Sequence, residues 1–139
     1  MSSAEEWLID KSALVRISTS RDAGLWTDRV QRGVVRIIVP TLLEIGYSAR
    51  SGPDWHALVE GSPVALMPVE SLTPQIERRA LAVQAVLAGR GEHRAPSVSD
   101  LLIAATAEMA GLTVLHVDKD FDLIAGVTGQ DVELLRIAS

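Results

Sequence analysis

The sequence predicts an α/β fold in which a mainly parallel central sheet is flanked by helices. Short apolar or β-branched runs alternate with longer segments of helical character along the 139 residues. This alternation is the order that parallel sheets with crossover helices require. Hydrophobic residues make up 47% of the chain and charged residues 22%, the composition of an ordinary globular core. We therefore expect a single domain over residues 1–139.

Two strands, a further strand candidate and four helices are predicted in the first half of the chain. Residues 7–10 and 34–39 are rich in apolar and β-branched side chains, as buried strands are. Residues 64–69 form the third strand candidate. The segments with helical character are separated by turn-forming residues, and they cover residues 12–18, 23–31, 41–50 and 53–60.

A helix with a clear start signal opens the second half. Thr73 fits the N-cap position and Pro74 the first helical position. This helix is expected to run to about Ala88 and to end at Gly89. The remaining segments are predicted as helix, strand, helix and strand, over residues 98–110, 112–117, 121–125 and 132–137.

The composition excludes several classes of protein. With no cysteine, the chain forms no disulfide, no thiolate zinc site and no cysteine nucleophile. No apolar run approaches the ~18 residues of a membrane helix, and the acidic N-terminus is unlike a signal peptide, so a cytoplasmic protein is expected. The net charge of −5 argues against a protein that coats nucleic acid by bulk attraction.

Five acidic residues carry the functional prediction. Asp10 and Asp118 follow predicted strands, and Asp120 comes shortly after, although it also fits a solvated turn. Glu44 and Asp100 fall in the first turn of predicted helices. Ligands gather at the carboxyl ends of parallel strands, and converging carboxylates suit a hard divalent cation. The sequence therefore predicts a Mg²⁺ site, with Mn²⁺ as the alternative ion.

Each of these acids also has a local structural alternative. Thr41-x-x-Glu44 fits a capping box, and Asp100 fits the last position of another. Asp10 and Asp118 fit the N-caps of the helices that follow them. Taken together, acids on four segments favour a metal site, because like charges that share a pocket repel unless a cation is present.

Phosphate contacts are expected from side chains close to these acids. Arg16 lies shortly after Asp10, Arg94 lies shortly before Asp100, and a guanidinium matches phosphate geometry. The Ser12 hydroxyl is predicted to contact substrate or a water at the site, with capping of the first helix as its alternative. A divalent cation there activates water and stabilises charge on a scissile phosphate, so metal-assisted phosphodiester hydrolysis is the expected chemistry.

In this order, the motifs resemble those of PIN-domain ribonucleases, and most closely the VapC-type toxins of bacterial type II toxin–antitoxin pairs. The resemblance implies a PIN-like three-layer sandwich with a sheet of four to five strands. It also implies Mg²⁺- or Mn²⁺-dependent endonucleolytic cleavage of RNA, a homodimer and a small cognate antitoxin. The motifs are Ile9-Asp10-x-Ser12-Ala13-Leu14, Glu44, Asp100-Leu101-Leu102-Ile103-Ala104-Ala105-Thr106-Ala107 and Asp118-x-Asp120-Phe121.

The resemblance also assigns roles to the acids. Asp10, Asp100 and Asp118 match metal ligands of the family. Glu44 matches the second metal acid of the family, and we expect it to orient or activate water. Asp120 matches the second aspartate of the last motif and is counted with the catalytic set.

Two residues depart from the family pattern. Lys11 stands where a small hydroxyl residue is common, and His116 stands where a threonine is common. Neither departure removes a carboxylate. Two alternatives stay open at this point: a receiver-like phosphoacceptor module, which also places aspartates around Mg²⁺ at strand ends, and a PIN domain that binds RNA or a protein partner without cleaving.

Overall fold

The computed structural model describes residues 5–138, which contain one parallel sheet with helices on both faces. The strands are β1 (Trp7–Ile9), β2 (Val35–Arg36), β3 (Thr113–His116) and β4 (Val132–Leu134), in the order β2-β1-β3-β4. The helices are α1 (Lys11–Leu14), α2 (Ala23–Gln31), α3 (Val39–Tyr47), α4 (Gly52–Glu60), α5 (Pro74–Gly89), α6 (Val98–Ala110) and α7 (Asp120–Thr128). The predicted α/β class and mainly parallel sheet are confirmed.

The core has two layers because neighbouring residues of β1 point to opposite faces of the sheet. Leu8 packs into a cluster with buried residues of α5, α6 and α7. Trp7 and Ile9 pack into the opposite cluster, with residues of α1 and α2. One cluster lies on each face of the sheet, so helices, sheet and helices form the three layers that the resemblance implied.

Strand order determines where a ligand can bind. The chain leaves β1 towards β2 on one side, and β3 lies on the other side of β1. The direction in which strands are added to the sheet reverses between β1 and β3. A crevice opens at this point, beyond the carboxyl ends of these two central strands. Here those ends are Ile9 of β1 and His116 of β3.

The predicted strand over residues 64–69 is wrong. Val64–Leu66 is a 3₁₀ helix, and the only pairing of this segment with the sheet is an isolated bridge between Val69 and Ile37. Pro63 directly precedes the segment and Pro68 lies within it, and a proline has no N–H to give to a sheet. A continuous run of apolar residues was therefore not enough to make a strand.

Two helix boundaries also differ from the prediction. The first helix stops at Leu14 and is followed by a separate 3₁₀ turn over Ile17–Thr19. Helix α3 begins at Val39 with Ile38 as its N-cap, so Thr41 lies inside the helix and does not cap it. The capping-box alternative for Glu44 is thereby excluded, and its carboxylate is not used at the start of α3.

Candidate active site

The five predicted acids converge at the crevice beyond β1 and β3. The crevice has a volume of about 430 Å³, and all five line it: Asp10, Glu44, Asp100, Asp118 and Asp120. Strand ends supply Asp10 and Asp118, and the beginnings of α6 and α7 supply Asp100 and Asp120. The five acids come from four separate segments of the chain, because Asp118 and Asp120 share one turn, and the parallel sheet brings these segments together.

Asp10 is almost fully buried and is held by several hydrogen bonds. Its Oδ1 accepts from the Ala13 N–H at 2.9 Å, so Asp10 is the N-cap of α1. Ser12 Oγ lies 2.8 Å from both carboxylate oxygens of Asp10 and accepts from the Val117 N–H at 3.0 Å. Burial raises the pKa of Asp10, and the hydrogen bonds from Ala13 and Ser12 oppose this rise.

The same contacts redefine the role of Ser12. The capping alternative is wrong, because Asp10 caps α1 and Ser12 does not. The hydroxyl instead joins the end of β1 to the residue after β3 by bonding both Asp10 and Val117. Ser12 still lines the crevice, so its predicted contact with substrate stays a prediction.

Asp100 combines a helix cap with the predicted metal site. Its Oδ2 accepts from the Ser97 N–H at 3.0 Å, and Ser97 Oγ accepts from the Asp100 N–H at 3.0 Å. This capping box fixes the side chain at the start of α6. Burial raises the pKa of Asp100, the bonds with Ser97 oppose the rise, and the charges of Asp118 and Asp10 add to it.

Three carboxylates lie close enough to share one ion. Oxygen atoms of Asp100, Asp118 and Asp120 all lie within 4.8 Å of one another. The Asp120 N–H donates to Asp118 Oδ1 at 2.9 Å, which folds the turn between them. Burial and the neighbouring charge of Asp118 raise the pKa of Asp120. An all-oxygen set of mutually repelling carboxylates fits a hard divalent cation, so this group can hold a metal ion.

This close triad differs from the predicted metal set by one residue. The sequence placed Asp10 with Asp100 and Asp118, whereas the triad has Asp120 in that position. Asp10 lines the same crevice, and its charge acts on Asp100. Its predicted part in metal binding stays a prediction.

The predicted phosphate contacts fall into two groups. Arg16 lines the crevice, and its Nη1 donates to the Ser12 carbonyl oxygen at 2.8 Å, which directs the guanidinium along the rim. Arg94 is exposed and does not line the crevice, although its neighbour Ala95 does. Glu44 lines the wall from α3 and is half-buried.

Sequence reasoning noted His116 as a departure from the family pattern and favoured a packed or partly exposed strand histidine over one that contacts the site. The structure buries its ring, with Nδ1 at 2.7 Å from the Asp118 carbonyl oxygen and the ring 5.2 Å from that of Phe121. His116 therefore helps to hold the turn that carries Asp118 and Asp120. In the sequence, its position one residue before the end of a predicted strand was the feature that placed His116 near the site.

The raised pKa of Asp100, caused first by burial and then by the charges of Asp118 and Asp10, predicts how stability depends on pH. Because the folded pKa lies above the unfolded value of 3.8, the folded state keeps this proton to higher pH than the unfolded state does. Stability is therefore lost as pH rises through the folded pKa. In EDTA at pH 7, Asp100→Asn should raise the Tm by about 2–5 °C, and this gain should shrink as the pH falls towards 4. Calorimetry of both proteins across pH tests this, and a gain that does not depend on pH would contradict it.

Comparison with known proteins identifies the family. Residues 7–127 match the PIN domain family. The chain is 58% identical to "Ribonuclease VapC2" of Mycobacterium tuberculosis (strain CDC 1551 / Oshkosh), over 94% of this chain and 93% of the relative. It is 42% identical to "Ribonuclease VapC51" of Mycobacterium tuberculosis (strain ATCC 25618 / H37Rv), over 91% and 90% of the two chains.

The fold agrees with solved structures. DNA-bound VapBC from Salmonella typhimurium superposes with a TM-score of 0.74 at 20% identity, covering 94% of this chain and 98% of that chain. VapBC-5 from Mycobacterium tuberculosis superposes with a TM-score of 0.65 at 24% identity, covering 96% and 100%. Within residues 5–138, no helix combines the length and the apolarity that crossing a membrane requires.

The comparisons also decide against the receiver-like alternative. The strand order β2-β1-β3-β4 is shared by receiver-type sheets, so topology alone does not separate the two folds. The family match over residues 7–127 and the identity with two VapC ribonucleases separate them. The chain therefore belongs to the PIN-domain family, within the group of VapC ribonucleases.

Proposed function

We propose that this protein is a Mg²⁺-dependent endoribonuclease and the toxin of a toxin–antitoxin pair, acting through one PIN-like domain over residues 1–139. The observation that carries the proposal is the crevice in which five carboxylates converge beyond β1 and β3. Asp100, Asp118 and Asp120 would hold the ion, with Asp10 completing the acidic wall. A bound divalent cation supplies activation of water and stabilisation of charge on the scissile phosphate.

Side chains at the crevice have the other roles in the proposed cleavage reaction. Glu44 orients the attacking water and accepts its proton, since it lines the crevice from α3 and takes no part in capping that helix. The water oxygen bonds to phosphorus, the bond from phosphorus to the leaving ribose oxygen breaks, and that oxygen takes a proton from solvent. Arg16 binds a non-bridging phosphate oxygen from the rim, and Ser12 holds Asp10 in place. Arg94 contacts the backbone farther from the cut.

The proposed partners follow from the relatives. Solved structures similar to this chain are VapBC toxin–antitoxin complexes, so a small antitoxin is the proposed protein partner. RNA is the proposed substrate, because the relatives are named ribonucleases. We further propose a homodimer and a cytoplasmic location.

Metal removal tests the proposal directly. The purified protein should cut a labelled single-stranded RNA in Mg²⁺ or Mn²⁺, lose all cutting in EDTA, and recover it when Mg²⁺ is added back. Gel analysis of the fragments gives the rate, and the same RNA with protein in EDTA is the matched control. Cutting that persists in EDTA would overturn the metal assignment, and metal-independent RNA binding without any product would support the binding-only alternative.

A further inference from the structure

A second pocket opens beside the acidic crevice. It has a volume of about 380 Å³ and shares Lys11 and Glu44 with the crevice. We call it the side pocket; it is lined by Lys11, Pro40, Leu43, Glu44, Tyr47 and Ser99. Because the two spaces share these lining residues, they adjoin, and a chain bound in the crevice has the side pocket beside it.

An exposed aromatic ring lines the side pocket. Tyr47 is 92% exposed at the end of α3, and Leu43, one turn earlier on the same face, is 66% exposed. Glu44 lies three residues before Tyr47, so the proposed water-orienting acid and the ring also share a helix face. An uncovered ring beside a nucleic-acid cleavage site is a platform on which a base can stack.

One positively charged side chain is shared by the crevice and the side pocket. Lys11 lines both spaces, and among residues 5–138 no carboxylate lies within ion-pair distance of its ammonium group. It is one of only two lysines in a chain of net charge −5. A compact ammonium group beside so much negative charge complements a phosphate that enters the acidic crevice.

We propose that the side pocket is a subsite for the nucleotide next to the scissile phosphate. The ring of Tyr47 stacks on the base of that nucleotide, and Lys11 binds its phosphate. This inference rests on the proposed function and deepens it, since it names which part of the RNA lies outside the crevice. Charge favours RNA over a protein occupant, because an unpaired ammonium group next to the acids matches a phosphate chain.

Matched variants and substrates test the stacking contact. Loss of one base stack in Tyr47→Ala should raise the KM for single-stranded RNA by about 5- to 150-fold with little change in kcat, whereas Tyr47→Phe should stay near wild type. An abasic substitution at one nucleotide beside the cut should slow the wild-type protein by a similar factor and leave Tyr47→Ala unaffected. Val86→Ala, an exposed apolar change on α5, is the matched control.

Salt dependence tests the phosphate contact. Lys11→Gln should lower the slope of log KM against log salt by about 0.7, the value for one phosphate contact on a single strand, and Lys11→Arg should keep most of the slope. An unchanged slope in Lys11→Gln would overturn the assignment of Lys11.

The outcomes separate this inference from the proposed function. If the wild-type protein cuts RNA and Tyr47→Ala cuts it equally well, the subsite is overturned and the nuclease stands. A Tyr47→Ala protein with normal cutting and an altered native mass would also overturn the subsite, because the ring then contacts protein. A wild-type protein that cuts no RNA under any metal would instead overturn the proposed function.

Discussion

Replacing Asp100 by asparagine should reduce RNA cleavage by on the order of 10³-fold or more, since a catalytic metal supplies several kcal/mol of transition-state stabilisation. The change removes one of the three carboxylates that lie within 4.8 Å of one another. It leaves the helix cap in place, because the asparagine Oδ1 still accepts the Ser97 N–H that Asp100 accepts at 3.0 Å. Charge is lost at the centre of the site, and little volume changes.

A second aspartate gives the matched control for this prediction. Asp122 is exposed in the first turn of α7 and does not line the crevice. Asp122→Asn makes the same change in charge and should cut RNA like the wild type. Initial rates on one labelled RNA, with circular dichroism to confirm folding, are the measurements. Metal-dependent cleavage by Asp100→Asn within tenfold of the wild-type rate would refute the assignment.

The same variant should be more stable than the wild type when metal is removed. Burial and the charges of Asp118 and Asp10 act against ionised Asp100, so its neutral replacement relieves repulsion. Lower activity with higher stability is the combination that marks a functional residue. If Asp100 only capped α6, its replacement by asparagine would leave both the stability of the protein and RNA cleavage nearly unchanged.

The sequence was sufficient to predict which acids meet. Asp10 and Asp118 directly follow apolar runs, and the carboxyl ends of parallel strands lie at one edge of the sheet, so the two acids meet if their strands are neighbours, as β1 and β3 are. Ser97-x-x-Asp100 predicted both the start of α6 and the position of its acid. These sequence signals are local, and the parallel sheet brings the acids that they mark to one edge.

The detailed grouping of the acids could not be predicted. Asp120 joins the close triad because its own N–H bonds Asp118 Oδ1, a turn geometry that pattern reasoning does not give. Arg94 lies outside the crevice. The sequence could not predict this, because closeness to Asp100 along the chain does not determine the direction of the loop that carries Arg94. The strand prediction over residues 64–69 failed because a continuous apolar run was weighed above Pro63 and Pro68.

Replacing Phe121 by alanine should lower the free energy of unfolding by about 3–5 kcal/mol, the usual cost of removing a buried aromatic ring. Phe121 is fully buried in the cluster that also contains Leu8 and Ile124. Urea denaturation measures the loss. Phe121→Leu keeps most of the apolar volume and should cost under about 1.5 kcal/mol. Leu25→Ala, at an exposed position of α2, should cost no more than about 0.5 kcal/mol.

This large effect on stability should extend to catalysis through the turn between His116 and Phe121. Both rings pack together at 5.2 Å, and His116 holds the Asp118 carbonyl oxygen, so the two acids of the turn are fixed from both ends. At equal folded fraction, Phe121→Ala should therefore cut RNA more slowly than Phe121→Leu. Equal rates in the two variants would show that the backbone bond from Asp120 to Asp118 fixes the turn without help from the core.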